Sequence, residues 1–195
     1  MSNHIAQSRP IGLKEVAGLV LAVTLAISAI AATPGFVSHR SPEFTISEPS
    51  GSNILLSALR GKVVVMEFFF LQSDHCMRVA KMLNKLNVEL GPRGFQALGI
   101  VFDPPNAPDT RGQLVGPAVE FFKLTYPIGY SNKADIDRYL DRKRGEILNI
   151  PQIVVIDRTG IIRAASGAAG GDRSLEDEAS LRELIQALLK KPATN

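Results

Sequence analysis

The sequence predicts an α/β sandwich in which a mixed central sheet is flanked by helices. Three observations predict it. Two near-continuous apolar runs, Lys62–Phe70 and Phe95–Asp103, have the β-branched and aromatic content of strands covered on both faces. A segment of helical period lies between them. Downstream, a strand, a tight turn and a second strand lead into a final amphipathic helix.

In chain order, residues 42–190 carry this domain. The run Lys62-Val-Val-Val-Met-Glu-Phe-Phe-Phe70 reads as the central strand. From Ser73 to about Leu90, apolar residues fall at Cys76, Val79, Ala80, Leu83, Leu86 and Leu90, one buried helix face, and Gly91-Pro92 stops it. Phe95–Asp103 is the second strand, followed by a Pro-rich loop over 103–109. Val115–Leu124 and Ala134–Arg142 read as helices. Ile153–Ile156, the turn Asp157–Gly160 and Ile161–Arg163 form a hairpin. Leu175–Lys190 closes the domain as a helix with Leu181, Leu184, Ile185, Leu188 and Leu189 on one side, and 191–195 is a tail.

Ahead of the domain, Val16–Ala32 holds no charge, and Arg9 and Lys14 precede it. Its 17 residues reach the short end of a bilayer span, about 17–25 residues, and also suit the core of a signal peptide with Ala29-Ile30-Ala31 as its cleavage site. Residues 1–32 are expected to be a signal peptide or a membrane anchor, with 33–41 as linker. The basic residues on its N-terminal side place the domain outside the cytoplasm. If uncleaved, the segment makes the membrane a partner.

Formal net charge is only +3 over 195 residues, and no Lys/Arg-rich run or aromatic-basic stripe stands out, so nothing in the sequence argues for nucleic acid. The chain has one cysteine, Cys76. An internal disulfide and zinc sites needing two thiolates are therefore excluded. Asp74, His75 and Cys76 are consecutive at a helix start and do not converge on one ion, so no metal is expected, and no cofactor. Ser73 reads as an N-cap accepting from the backbone N–H at position 76; as a nucleophile it would need a histidine base oriented by a carboxylate. Cys76 has two readings: a half-buried thiol acting as a small hydrophobe, or a thiol whose pKa is lowered by the helix dipole and by protonated His75. Glu67 interrupts the apolar strand. It is either a carboxylate reaching solvent or an arginine, or a buried acid whose pKa burial raises.

Ser41-Pro-Glu-Phe-Thr-Ile46, then Leu59-Arg-Gly-Lys-Val-Val-Val-Met-Glu-Phe-Phe-Phe-Leu-Gln-Ser-Asp-His-Cys76, then Asn149-Ile-Pro-Gln-Ile-Val-Val-Ile-Asp-Arg-Thr-Gly-Ile-Ile162 resemble the TlpA/ResA-like, extracytoplasmic branch of the thioredoxin superfamily, with its redoxin (AhpC/TSA-like) domain. The resemblance covers about three quarters of the chain. It implies a thioredoxin-like three-layer sandwich with an N-terminal hairpin extension, and thiol–disulfide chemistry on exported protein thiols or a small thiol. It also places Ser73 where the family has the attacking cysteine of C-x-x-C, and Cys76 at the resolving position. Serine cannot form S–S, so dithiol cycling within this chain is not possible. Glu67 matches the family's buried acid, the proton partner of Cys76. Pro151 after Ile150 matches a cis-proline that presents a backbone edge to an incoming chain. Two other functions compete. One is a one-cysteine peroxiredoxin, against which Phe69 and Pro151 stand where that motif needs proline and arginine. The other is a non-catalytic module that holds an extended segment.

Overall fold

The structure, a computed structural model, describes residues 38–103, 112–143, 145–166 and 173–192. The apolar segment, its cleavage site, most of the linker, nearly all of the Pro-rich loop and the end of the tail lie outside them. Among the described residues no helix is long and apolar enough to cross a membrane.

Strand β1 is His39–Arg40, β2 Thr45–Ser47, β3 Asn53–Leu55, β4 Val63–Phe69, β5 Phe95–Val101, β6 Ile128–Tyr130, β7 Gln152–Ile156 and β8 Ile161–Ala165. The helices are α1 Asp74–Leu90, α2 Val115–Phe122, α3 Lys133–Tyr139 and α4 Glu178–Lys190. The strands form one sheet in the order β1-β8-β7-β4-β5-β6-β2-β3. Strands β4, β5 and β6 are parallel, whereas β7 runs antiparallel to β4 and β8 antiparallel to β7. Every residue of β4 is buried, as its apolar run requires.

Alternation along β4 fills two cores. Val63, Val65 and Phe69 face α1, α2 and α4, where Leu83, Leu86, Leu181 and Ile185 are buried. Val64, Met66 and Phe68 face the other side, where Phe44, Ile46, Ile136 and Tyr139 cover them. Each such leucine, isoleucine or phenylalanine contributes about 1.5–3 kcal/mol relative to exposure. Helices on both faces of a mixed sheet make the three-layer sandwich that the resemblance implies, and β2 with β3 supplies the N-terminal hairpin.

The structure differs from expectation in four places. Strand β6 has only three residues, too short for a period-2 pattern, yet it extends the parallel sheet next to β5. The last helix starts at Glu178, because Asp177 takes the N–H of Ser180 (2.9 Å) as its cap and Leu175 lies in a preceding 3-10 turn, Arg173–Glu176. Helix α3 runs Lys133–Tyr139, since Asn132 caps it and the backbone turns left-handed at Asp141. Arg142, the expected last residue of that helix, lies beyond it, with a side chain only 3% exposed because it folds back onto Asp137 and the Glu146 carbonyl.

At Gly129 a Cβ would lie 2.5 Å from the Ser47 carbonyl oxygen, so only glycine lets β2 approach β6. At Gly116, inside α2, a Cβ would make an ordinary 3.6 Å contact with Pro49. Gly129→Ala is expected to destabilise by about 1–3 kcal/mol and Gly116→Ala to stabilise by about 0.5–1 kcal/mol. Urea unfolding of the two variants checks the opposite signs.

Candidate active site

Strand β4 ends at Phe69 and the chain turns at Gln72 to enter α1. Ser73 caps the helix: its Oγ accepts from the Cys76 N–H at 3.3 Å, and its carbonyl accepts from the Met77 N–H at 2.9 Å. Asp74 is exposed in the first turn, where its charge suits the positive end of the helix. The cap is the one the sequence predicts.

Cys76 points into the core and is fully buried, not half-buried. Burial pushes its thiol pKa up and the charge of Glu67 adds to this, while hydrogen bonding from Ser73 and from the Phe70 and Cys76 backbone opposes it. The net direction is upward. Burial, the largest of these effects, works against an activated thiol. His75 does not assist it either: its Nε2 donates to Glu176 Oε2 at 2.7 Å, and Arg173 Nη2 reaches the same oxygen at 3.2 Å.

Glu67 lies in the middle of β4, opposite Gly99 on one side and Ile153 on the other. It is fully buried, and among the described residues neither carboxyl oxygen has a hydrogen-bond partner. It reaches neither solvent nor an arginine. Burial raises its pKa well above the usual carboxylate range, with a further rise from the charge of Glu176. Among the described residues no hydrogen bond joins Glu67 to Cys76; the charge of Glu67 pushes the thiol pKa up.

Two neighbours carry no signal in the sequence. Tyr126, in the loop before β6, buries a hydroxyl without a partner; burial and then the charge of Glu67 raise its pKa well above normal. Glu176 comes from the 3-10 turn before α4 and binds His75 across 101 residues of sequence. Only the folded sheet brings them to this end.

The Ile150–Pro151 bond is cis. Gln152 pairs with Phe68, which sets Pro151 at the same end of the sheet as Ser73 and Cys76. Ile150 is half-buried and packs against both cores.

A mixed sheet of this order, with a capped helix carrying a cysteine at the same end as a cis-proline, defines a thioredoxin-like redoxin domain. The sequence profile of the AhpC/TSA family matches residues 37–165, and the chain belongs to that family. No curated protein matches it. Among solved structures it is similar to the thioredoxin domain of a thiol-disulfide oxidoreductase from Bacteroides vulgatus, at 20% identity and TM-score 0.60, covering 78% of this chain and 96% of that one. It is also similar to a thiol:disulfide interchange protein of the thioredoxin family from Chlorobium tepidum TLS (20%, TM-score 0.61, 78% and 97%). A third is a thiol:disulfide interchange protein from Bacteroides sp. (21%, TM-score 0.61, 80% and 91%). At these identities the likeness establishes the fold.

A carboxyl whose folded pKa lies above its unfolded value of about 4.3 gives stability that is present in full below that value and lost as pH rises past it. Glu67→Gln removes this loss. Urea unfolding is expected to show wild type weakening relative to Glu67→Gln between about pH 4 and about pH 7. Parallel pH profiles would mean that Glu67 ionises as freely in the folded chain as in the unfolded one.

Proposed function

We propose that this chain is an extracytoplasmic, TlpA-type homologue of the thiol–disulfide oxidoreductases, in which Ser73 replaces the attacking cysteine and exchange runs through the single thiol of Cys76. The observation that carries this reading is Glu67. A buried carboxyl with no hydrogen-bond partner among the described residues works against stability. Its nearest chemical use is the thiol to which it is coupled.

Exchange is intermolecular. Cys76–SH and R–S–S–R′ give Cys76–S–S–R and R′–SH: one S–S bond breaks, one forms, and the Cys76 proton ends on the leaving sulfur with Glu67 as its exchange partner. Ser73 cannot resolve the mixed disulfide, so a second thiol from outside must do so. Substrates are exported protein thiols and disulfides or a small thiol. An extended client segment lies along the Ile150–Pro151 edge by strand addition. The basic residues ahead of Val16–Ala32 put the domain outside the cytoplasm.

The complete burial of Cys76 favours a second reading, the non-catalytic module that only holds such a segment. A peroxidase is disfavoured. The charge that acts on Cys76 is the carboxyl of Glu67, and Pro151 occupies the position where the peroxidase motif has its arginine.

The full chain is the material for the test. Alkylation of Cys76 is expected to be slow near neutral pH and to rise only above about pH 8.5, without an earlier plateau. Glu67→Gln should shift that rise to lower pH. Oxidised glutathione should add one glutathione per folded chain, and none to Cys76→Ser. If the thiol reacts only when the chain unfolds, the exchange reading fails and the holding module stands.

A further inference from the structure

The end of the sheet away from Cys76 carries a second feature. Arg60 and Lys62 enter β4, Arg93 precedes β5, and Arg158 lies in the turn between β7 and β8. The backbone ties these turns together: Gly61 N–H donates to the Arg158 carbonyl and Val63 N–H to the Gly94 carbonyl, each at 2.9 Å. Arg60 Nη1 donates to the Thr159 carbonyl at 3.1 Å, and Arg158 Nη2 to the Arg93 carbonyl at 3.3 Å. Helix α4 finishes at the same end, with Leu189 beside Gly94, so Lys190 and Lys191 join the group. Arg40 adds itself through β1, where Ser41 N–H donates to the Gly160 carbonyl at 2.9 Å.

All of these cations are exposed except Arg158, which is half-buried. Among the described residues none is ion-paired to a carboxylate. The nearby acids are engaged elsewhere, Asp157 with Arg163 at 2.6 Å and Glu89 with Arg182. One carbonyl oxygen each accepts from Arg60 and Arg158, which leaves their charge in place, and among the described residues the buried Arg158 Nε has no partner. A sequence with a net charge of only +3 thus presents an unneutralised cationic face built from five separate stretches of chain.

We propose that this face binds an anionic lipid surface and turns the Ser73–Pro151 end away from it. The cations sit on turns and helix ends, spread as a face. The one large exposed aromatic among the described residues, Phe121, lies on α2, so the face lacks the stacking platform that single-stranded nucleic acid uses. Strand β1 belongs to this face, and the uncharged run Val16–Ala32 precedes it in the sequence. The inference rests on the membrane-directed reading of that run for its setting; the charge itself does not depend on it.

The test uses the full chain with vesicles of phosphatidylcholine alone or mixed with phosphatidylglycerol, and mass-spectrometric footprinting of lysine acetylation. Lys62, Lys190 and Lys191 are expected to be protected only on the anionic vesicles and re-exposed by high salt, while Lys123 and Lys143 stay reactive throughout. Lys62→Gln, Arg93→Gln, Lys190→Gln and Lys191→Gln combined should weaken the anionic preference at least ~10-fold, and Lys123→Gln with Lys143→Gln should not. Equal protection on both vesicles, no protection on either, or protection by single-stranded nucleic acid in place of lipid overturns the proposal. A chain that ignores neutral vesicles yet protects these lysines on anionic ones loses the anchor reading and keeps this one.

Discussion

Seven consecutive residues of β4, Val63 to Phe69, are out of contact with water, and their backbone groups need partners on both edges. Strand β5 supplies one ladder and β7 the other. Their side chains alternate into two apolar clusters, so each face of the sheet must be covered by helix. The connection from β4 to its parallel neighbour β5 has to be a crossover, and α1 is that crossover. Where β4 stops therefore decides where α1 starts. The position of Ser73, three residues before Cys76, follows from the length of the central strand.

Within that strand Glu67 works against stability. The neutral acid is the form burial tolerates, and Tyr126 buries a second group without a partner beside it. Sequences break the rules of packing mainly where something other than packing is served. Ser73 is the opposite case. An N-cap requires a short side chain that accepts a hydrogen bond, and serine fills that role well. On the proposed reading, serine there would remove an attacking sulfur while the helix start keeps its cap. Fold and redox capacity can separate at this position.

The elements legible in the sequence are those whose signal is local. The apolar runs gave β4 and β5, the helical period gave α1, and the serine before it gave the cap. The turn Asp157–Gly160 was legible for the same reason, since Asp157 binds the Thr159 and Ile161 N–H groups itself. Burial of Glu67 and the cis-proline were reached through resemblance. What stayed hidden depends on tertiary partners. Three residues with a central glycine make β6 a strand only because β5 lies beside it. Periodicity cannot tell the 3-10 turn holding Leu175 from the α-helix after it. His75 reads as a neighbour of Cys76 until Glu176 arrives from the far end of the chain.

Charge placement links the two ends of the sheet. One group of exposed cations lies at the starts of β4 and β5, and the groups whose charge acts on the thiol and its buried neighbour are acids, Glu67 and Glu176. A thiolate at Cys76 would form in an apolar core with a carboxyl close by, and losing a proton from either acid makes the second loss harder. Thioredoxin-fold sites commonly gain reactivity by placing positive potential near the sulfur. In this chain Arg60, Lys62, Arg93 and Arg158 lie at the far end of β4, and Arg173, which comes near His75, is paired with Glu176. Burial and the charge of Glu67 therefore act in the same direction on Cys76, pushing its thiol pKa up.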